Sequence, residues 1–171
     1  MPAKKRSQSG KKKPSSKAKA AARPQDAIAL LKADHALVED LFSQFEKARD
    51  DARKQTLATR ICMELKIHTS IEEEIFYPAT REVLPKEEDL LDEAEVEHAS
   101  AKDLIEQIEA GKPGDELWDA KVMVLSEYIK HHVKEEHTEM FPKVRKTKLD
   151  LKALGQRLKE RKEQLMGQMG A

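Results

Sequence analysis

Two short stretches of this chain carry the same donors at the same spacing. His68 is followed by Glu72 and then Pro78, and His132 by Glu136 and then Pro142. Residues four apart on a helix lie one above the other, so each copy aims an imidazole and a carboxylate at one point. Two such helices facing each other would make a mixed nitrogen and oxygen cage. That donor set suits iron, manganese or zinc. The single cysteine, Cys62, argues against copper(I), an iron–sulfur cluster or a disulfide, and reads as a small buried apolar residue.

Two further histidines widen the repeat. His35 and His98 each follow an acid, Asp34 and Glu97, and each precedes an Asp-Leu pair, Asp40-Leu41 and Asp103-Leu104. The shift from His35 to His98 is 63 residues and from His68 to His132 it is 64, which one duplicated helix pair explains. A lone helical histidine is ordinarily a core or surface residue with a satisfied hydrogen bond. Four at duplicated spacing, two with a glutamate one turn on, call for another explanation. Four imidazoles and two carboxylates are enough donors for two metal ions, each taking two histidines with the carboxylates bridging. Ferritin-like bundles use a different grammar, Glu-x-x-His. The histidine-rich balance here favours ligand binding over bulk iron turnover.

The elements that must position these donors are helices. The first runs from Asp26 to about Asp50, with Ile28, Leu31, His35, Val38, Leu41 or Phe42, and Phe45 in its stripe. The second starts within 51–54 and carries Leu57, Ile61, Leu65, His68, Glu72 and Ile75, with Pro78 and Pro85 bracketing its end. The donors thus lie inside an apolar stripe, where unpaired polar groups are costly. The third spans about Lys86 to Ala110, with Leu91, Ala94, His98, Ala101, Ile105 and Ile108 on one face. Gly111–Gly114 is a stop, and Asp115 is placed to cap a fourth helix carrying Leu117, Val124, Leu125, Tyr128, His132, Glu136 and Met140. A fifth, about Asp150 to Met166, begins a third repeat in which Lys162 stands where His98 stood, so it reads as a cap or dimer helix. The fold expected is all-α: an antiparallel up-down four-helix bundle over 25–145, a short C-terminal helix and tail over 146–171, and a basic tail over 1–24.

Charge is segregated along the chain. Residues 1–23 hold nine Lys/Arg and no acid, residues 24–142 hold 14 basic against 29 acidic, and residues 143–171 hold nine basic against three acidic. The basic tail, without aromatics or apolar periodicity, reads as disordered. It could bind nucleic acid non-specifically through counterion release, or fold back on the acidic bundle. There is no apolar run long enough to span a membrane and no secretory h-region, so a cytoplasmic, reducing compartment is expected.

On the ordered sequence His35, His68-x3-Glu72, His98, His132-x3-Glu136, with Phe76-Tyr77-Pro78 and Phe141-Pro142 after the glutamates, residues 26–165 resemble the hemerythrin-like (HHE cation-binding) family. The resemblance implies a hemerythrin-like four-helix bundle around a non-haem di-iron site, oxo- or hydroxo-bridged, with iron ahead of manganese or zinc. His35, His68, Glu72, His98, His132 and Glu136 would be its ligands and the two glutamates its bridges. It implies a protein that binds or senses oxygen, nitric oxide or iron rather than an enzyme. The alternatives are an enzyme acting on peroxide or ferrous iron at an open iron, and a DNA-associated protein that protects against iron and oxidants. The family's oxygen carriers have a second histidine one turn after the third-helix histidine. Here that position is Lys102, matched by Glu39 in the first repeat, leaving Glu39, His131, His137 or water to substitute. The carriers' last carboxylate comes five residues after the fourth-helix histidine, where this chain has His137; the internal repeat favours Glu136.

Around this set, Glu64 and Tyr128, one turn before His68 and His132, are placed either to orient a ligand imidazole or to stand at the boundary with solvated tips. Asp34 and Glu97, one residue before their histidines, should face elsewhere as surface charge. Lys102 should be solvated beside Asp103, the alternative being that it swings over the site.

Overall fold

The computed structural model describes residues 25–170; the expectation of a disordered basic tail falls outside them. The helices are α1 (Ala27–Lys47), α2 (Asp51–Ile71), α3 (Tyr77–Val83), α4 (Glu88–Glu109), α5 (Trp118–Glu135), α6 (Phe141–Arg145) and α7 (Leu151–Met169). Wide π turns, Glu72–Phe76 and Glu136–Met140, join α2 to α3 and α5 to α6, so that each pair is one long rod. α1 packs on α2, α4 on α5, α2 on α4 and α1 on α5, which closes a four-rod bundle. α7 lies over α1, α2 and the first π turn.

Local chemistry explains the helix boundaries. Asp26 caps α1 by accepting from the Ala29 N–H, and Asp50 caps α2 by accepting from Arg53. The expected stripes of α1 and α4 are buried residue for residue. α5 departs from expectation. Asp115 accepts from the Lys112 N–H and closes the turn instead of capping the helix, which starts at Trp118 behind a left-handed Leu117. The buried face of α5 is Trp118, Val122, Leu125, Ser126, Ile129 and His132, while Leu117, Val124 and Tyr128 are exposed.

Pro78 and Pro142 explain the π turns. Proline lacks an N–H and its ring crowds the carbonyl four residues back, so a straight α-helix cannot run through it unstrained. Each rod widens just before its proline, with Tyr77 N–H donating to the Glu72 carbonyl and Phe141 N–H to that of Glu136. A residue five positions on then falls back over the glutamate, which brings Tyr77 and Phe141 to the cage. π-bulges of this kind recur at functional sites.

Two apolar clusters sandwich the polar layer. One holds Ile28, Leu31, Ile71, Phe76, Phe141 and the α7 residues Leu154 and Leu158; the other holds Leu41, Phe45, Leu57, Ile61, Trp118 and Leu125. α7 is therefore a cap that completes the first cluster. Its close approach depends on Gly155, where a Cβ would sit 2.4 Å from the Gln25 carbonyl oxygen. Cys62 is fully buried, and burial pushes its thiol up to about 12, so it is chemically quiet as expected.

Candidate metal centre

His35 from α1, His68 from α2, His98 from α4 and His132 from α5 all turn inward at one level, with Glu72 and Glu136 from the π turns between them. All six are buried. The structure thus brings together every residue singled out by spacing. Two overlapping groups could each hold an ion: His35, His68, Glu72 and Glu136, and then Glu72, His98 and His132.

The distances describe the cage. His35 Nε2 lies 2.8 Å from His68 Nε2 and 3.2 Å from Glu136 Oε2. Glu72 Oε2 is 3.1 Å from His68 Nε2 and 3.4 Å from His98 Nε2, so it reaches both halves. His132 Nε2 is 3.1 Å from His98 Nε2 and 3.6 Å from Glu136 Oε2. An ion about 2.1 Å from each donor sets neighbouring donors roughly 3–3.5 Å apart, so these spacings fit ligands of shared ions.

An outer layer fixes the ring orientations. His98 Nδ1 faces Glu73 Oε1 at 3.0 Å and His132 Nδ1 faces Glu97 Oε2 at 2.8 Å. His68 Nδ1 faces Asp34 Oδ2 at 3.6 Å, and His35 Nδ1 faces His137 Nε2 at 2.9 Å. At His98 and His132 the outer carboxylate only accepts, so the facing Nδ1 carries a proton and Nε2 is the nitrogen turned to the cage. His68 Nδ1 and Asp34 Oδ2 are in ion-pair range but too far apart to hydrogen-bond. Behind these partners stand two cations: Lys162 of α7 on Asp34, and Lys102 on Glu73 at 2.6 Å. Tyr77 Oη donates to Glu136 Oε1 at 3.2 Å and lies 3.3 Å from His98 Nε2. Its ring stacks on His98, and Phe141, its counterpart in the repeat, stacks on His35.

Several expectations are corrected here. Asp34 and Glu97 are not idle surface charge. Each faces away from the histidine after it and reaches the histidine of the neighbouring helix. Glu64 instead pairs with Arg60, and Tyr128 is exposed. Lys102 binds Glu73 rather than standing beside Asp103. His137 backs His35, His131 faces Glu97 and Glu135, and Glu39 lines a cleft beside His35. Tyr77 and Glu73 were missed, although the duplication that pairs Tyr77 with Phe141 and Glu73 with His137 marked both positions.

The electrostatics favour a cation. Both oxygens of Glu72 and Oε2 of Glu136 are buried without a hydrogen-bond donor. Each half instead sets one of these oxygens in ion-pair range of an imidazole, Glu72 Oε2 at 3.1 Å from His68 Nε2 and Glu136 Oε2 at 3.2 Å from His35 Nε2. Burial alone would raise Glu72, but His68 and His98 beside it hold its carboxyl well below the usual range. Burial would lower His68, yet Glu72, Asp34 and Glu136 push it up to about 10, and in the same way Glu72, Glu73 and Glu136 push His98 up to about 9. Protons on these rings play the part that a metal ion would take over.

The Hemerythrin HHE cation binding domain matches residues 26–144 of this chain. The chain belongs to that family. A solved hemerythrin HHE cation binding domain-containing protein from Mycobacterium kansasii shares the fold, with a TM-score of 0.71 and 23% identity over 84% of this chain and 89% of that one. A curated protein of Nostoc sp., described as a DNA nickase, is 28% identical over 118 residues, 68% of this chain. The chain spans about a third of that relative's length, 32%. The matched cation-binding domain spans the His/Glu layer, whose donors could hold a metal ion. No helix among the described residues is long and apolar enough to cross a membrane.

Proposed function

We propose that this HHE protein holds two metal ions, iron before manganese or zinc, through His35, His68, Glu72, His98, His132 and Glu136. Its role is to bind or sense a very small ligand, oxygen or nitric oxide, or iron itself. The observation that carries this reading is the convergence of four imidazole Nε2 atoms on buried glutamate oxygens that have no donor. Glu72 and Glu136 lie between the halves and would be the residues shared by both ions. An iron pair would supply redox change and open coordination positions.

The surroundings support a ligand of two or three atoms. A void of about 10 Å³ lies against His35, His68, His98 and His132, near the lower limit for one water. A cleft of about 160 Å³ between α1 and α5 leads to His35 and His137, lined by Glu39, Phe42, Ser126 and Ile129. The same opening supports the alternative of peroxide or ferrous iron turnover at this half. Anaerobic loading with ferrous iron, metal analysis and a spectrum in air test the reading. About two irons per chain and a near-ultraviolet and visible charge-transfer band are expected. One zinc, or no metal, from iron-rich expression would overturn it.

A second reading concerns residues 1–23, with nine Lys/Arg and no acid, together with the nickase relative. It has the tail holding the bundle near DNA without reading sequence. A gel shift at low salt should lose its band when residues 1–24 are deleted; equal binding would remove the idea.

A further inference from the structure

We propose that Glu97, His131 and Glu135 form a second metal site, on the α4/α5 surface, for one divalent cation of the manganese, iron or zinc class. It lies outside the buried cage and does not depend on that cage holding metal. The three side chains offer one imidazole nitrogen and two carboxylate oxygens, all within 4.8 Å of one another. His131 Nε2 is 3.2 Å from Glu135 Oε1 and 3.5 Å from Glu97 Oε1. An ion about 2.1 Å from each donor would place neighbouring donors roughly 3–3.5 Å apart, as both imidazole–carboxylate pairs are. His131 and Glu135 stand one turn apart on α5, and Glu97 reaches across from α4. Glu97 is held in advance, because its other oxygen accepts from His132 Nδ1 at 2.8 Å. The His131 side chain is 61% exposed, so an ion can reach it from solvent.

The internal repeat supplies an independent pointer. The counterpart of Glu97 is Asp34, and a cation already sits there: the Lys162 ammonium, delivered by α7. The counterparts of His131 and Glu135 are Ile67 and Ile71, buried in the cluster that includes Leu154 and Leu158 of α7. Among the described residues, no helix over α4 and α5 delivers a lysine to Glu97. The positions that are isoleucine under α7 are there an imidazole and a carboxylate. The first half neutralises its outer carboxylate with an ammonium; the second half carries ligands for a metal ion. Since Glu97 also orients His132, an ion at the surface touches the buried cage through one carboxylate.

Equilibrium dialysis of the metal-free full chain against Zn²⁺, with metal analysis, tests the site in wild type, His131→Ala and Glu135→Gln. Wild type should bind one equivalent more than His131→Ala, in a class weaker than the cage. Glu135→Gln should weaken that class about tenfold or more, and the tighter equivalents should be unchanged in both variants. Coincident isotherms for all three proteins would overturn the proposal. A filled cage with no difference between wild type and His131→Ala rejects the surface site alone. A zinc-free cage with a difference of one supports the surface site, and ferrous loading decides the cage separately.

Discussion

His98 and His132 are each held from outside by a carboxylate, Glu73 and Glu97. In the other half Asp34 stands behind His68, but His35 is backed by a second imidazole, His137. The four outer positions are related by the same duplication as the cage itself, so the frame is common and only the side chains have diverged. At one position Glu73 faces His137; at another Tyr77 faces Phe141. The consequences differ. A carboxylate on Nδ1 makes an imidazole a more basic donor, whereas a neutral imidazole does less. Burial and the nearby charges of His35 and Lys32 lower the His137 pKa, which keeps it neutral. Lys102 closes over Glu73, while its counterpart Glu39 lines the open cleft by His35. On the proposed reading, the second half would hold an ion more firmly and the first would let a small molecule approach.

Removing what the halves share should have the largest effect. Glu72→Ala deprives both of a bridge and should drop metal content from about two to below one per chain, read by elemental analysis of folded protein. Separating the halves comes next. Glu73→Gln should weaken one ion by about 10–100-fold. His137→Gln should change affinity only a few-fold but alter the rate at which a small anion reaches the metal; equal effects would erase the proposed difference. Tyr77→Phe leaves Glu136 Oε1 without its donor and should cost about 1–2 kcal/mol, or roughly 2–8 °C in Tm. Phe141→Tyr, its mirror, tests whether a hydroxyl is tolerated beside His35.

pH should give a graded effect of opposite sign on stability and on metal binding. The pKa values of His68 and His98 are raised to about 10 and about 9 in the folded chain. Their protonation therefore stabilises the metal-free fold fully below about pH 6.5, the unfolded value, and that contribution is lost as pH climbs toward 9–10. Metal displaces these protons, so metal affinity should rise over the same range. A metal-free Tm flat from pH 6.5 to 9.5 would contradict the proton-filled cage. The smallest effect expected is that of Lys162→Met, which removes the cation behind Asp34 and should shift metal affinity by only a few-fold.

The cage was legible because its code is local and repeated: an imidazole and a glutamate one turn apart, twice, inside apolar stripes. The four-rod bundle followed from the same stripes. The outer layer was not legible by the same rule. A residue one step before a helical histidine points about 100° away from it. Asp34 and Glu97 therefore looked idle until their neighbouring helices were in place. The π turns hid for a related reason. A proline six residues after each glutamate signals a break, but only the structure tells that the rod widens and continues. Leu117, Val124 and Tyr128 extended a plausible stripe on α5, yet packing against α4 and α1 selected the face through Trp118, Leu125 and Ile129.

The central claim is that two ions share Glu72 and Glu136. The most direct measurement is the magnetic behaviour of the iron-loaded full chain, read with its iron count. Two irons per chain with spins coupled through shared carboxylates is the result expected. One iron per chain, or two that behave as independent paramagnets, would contradict it.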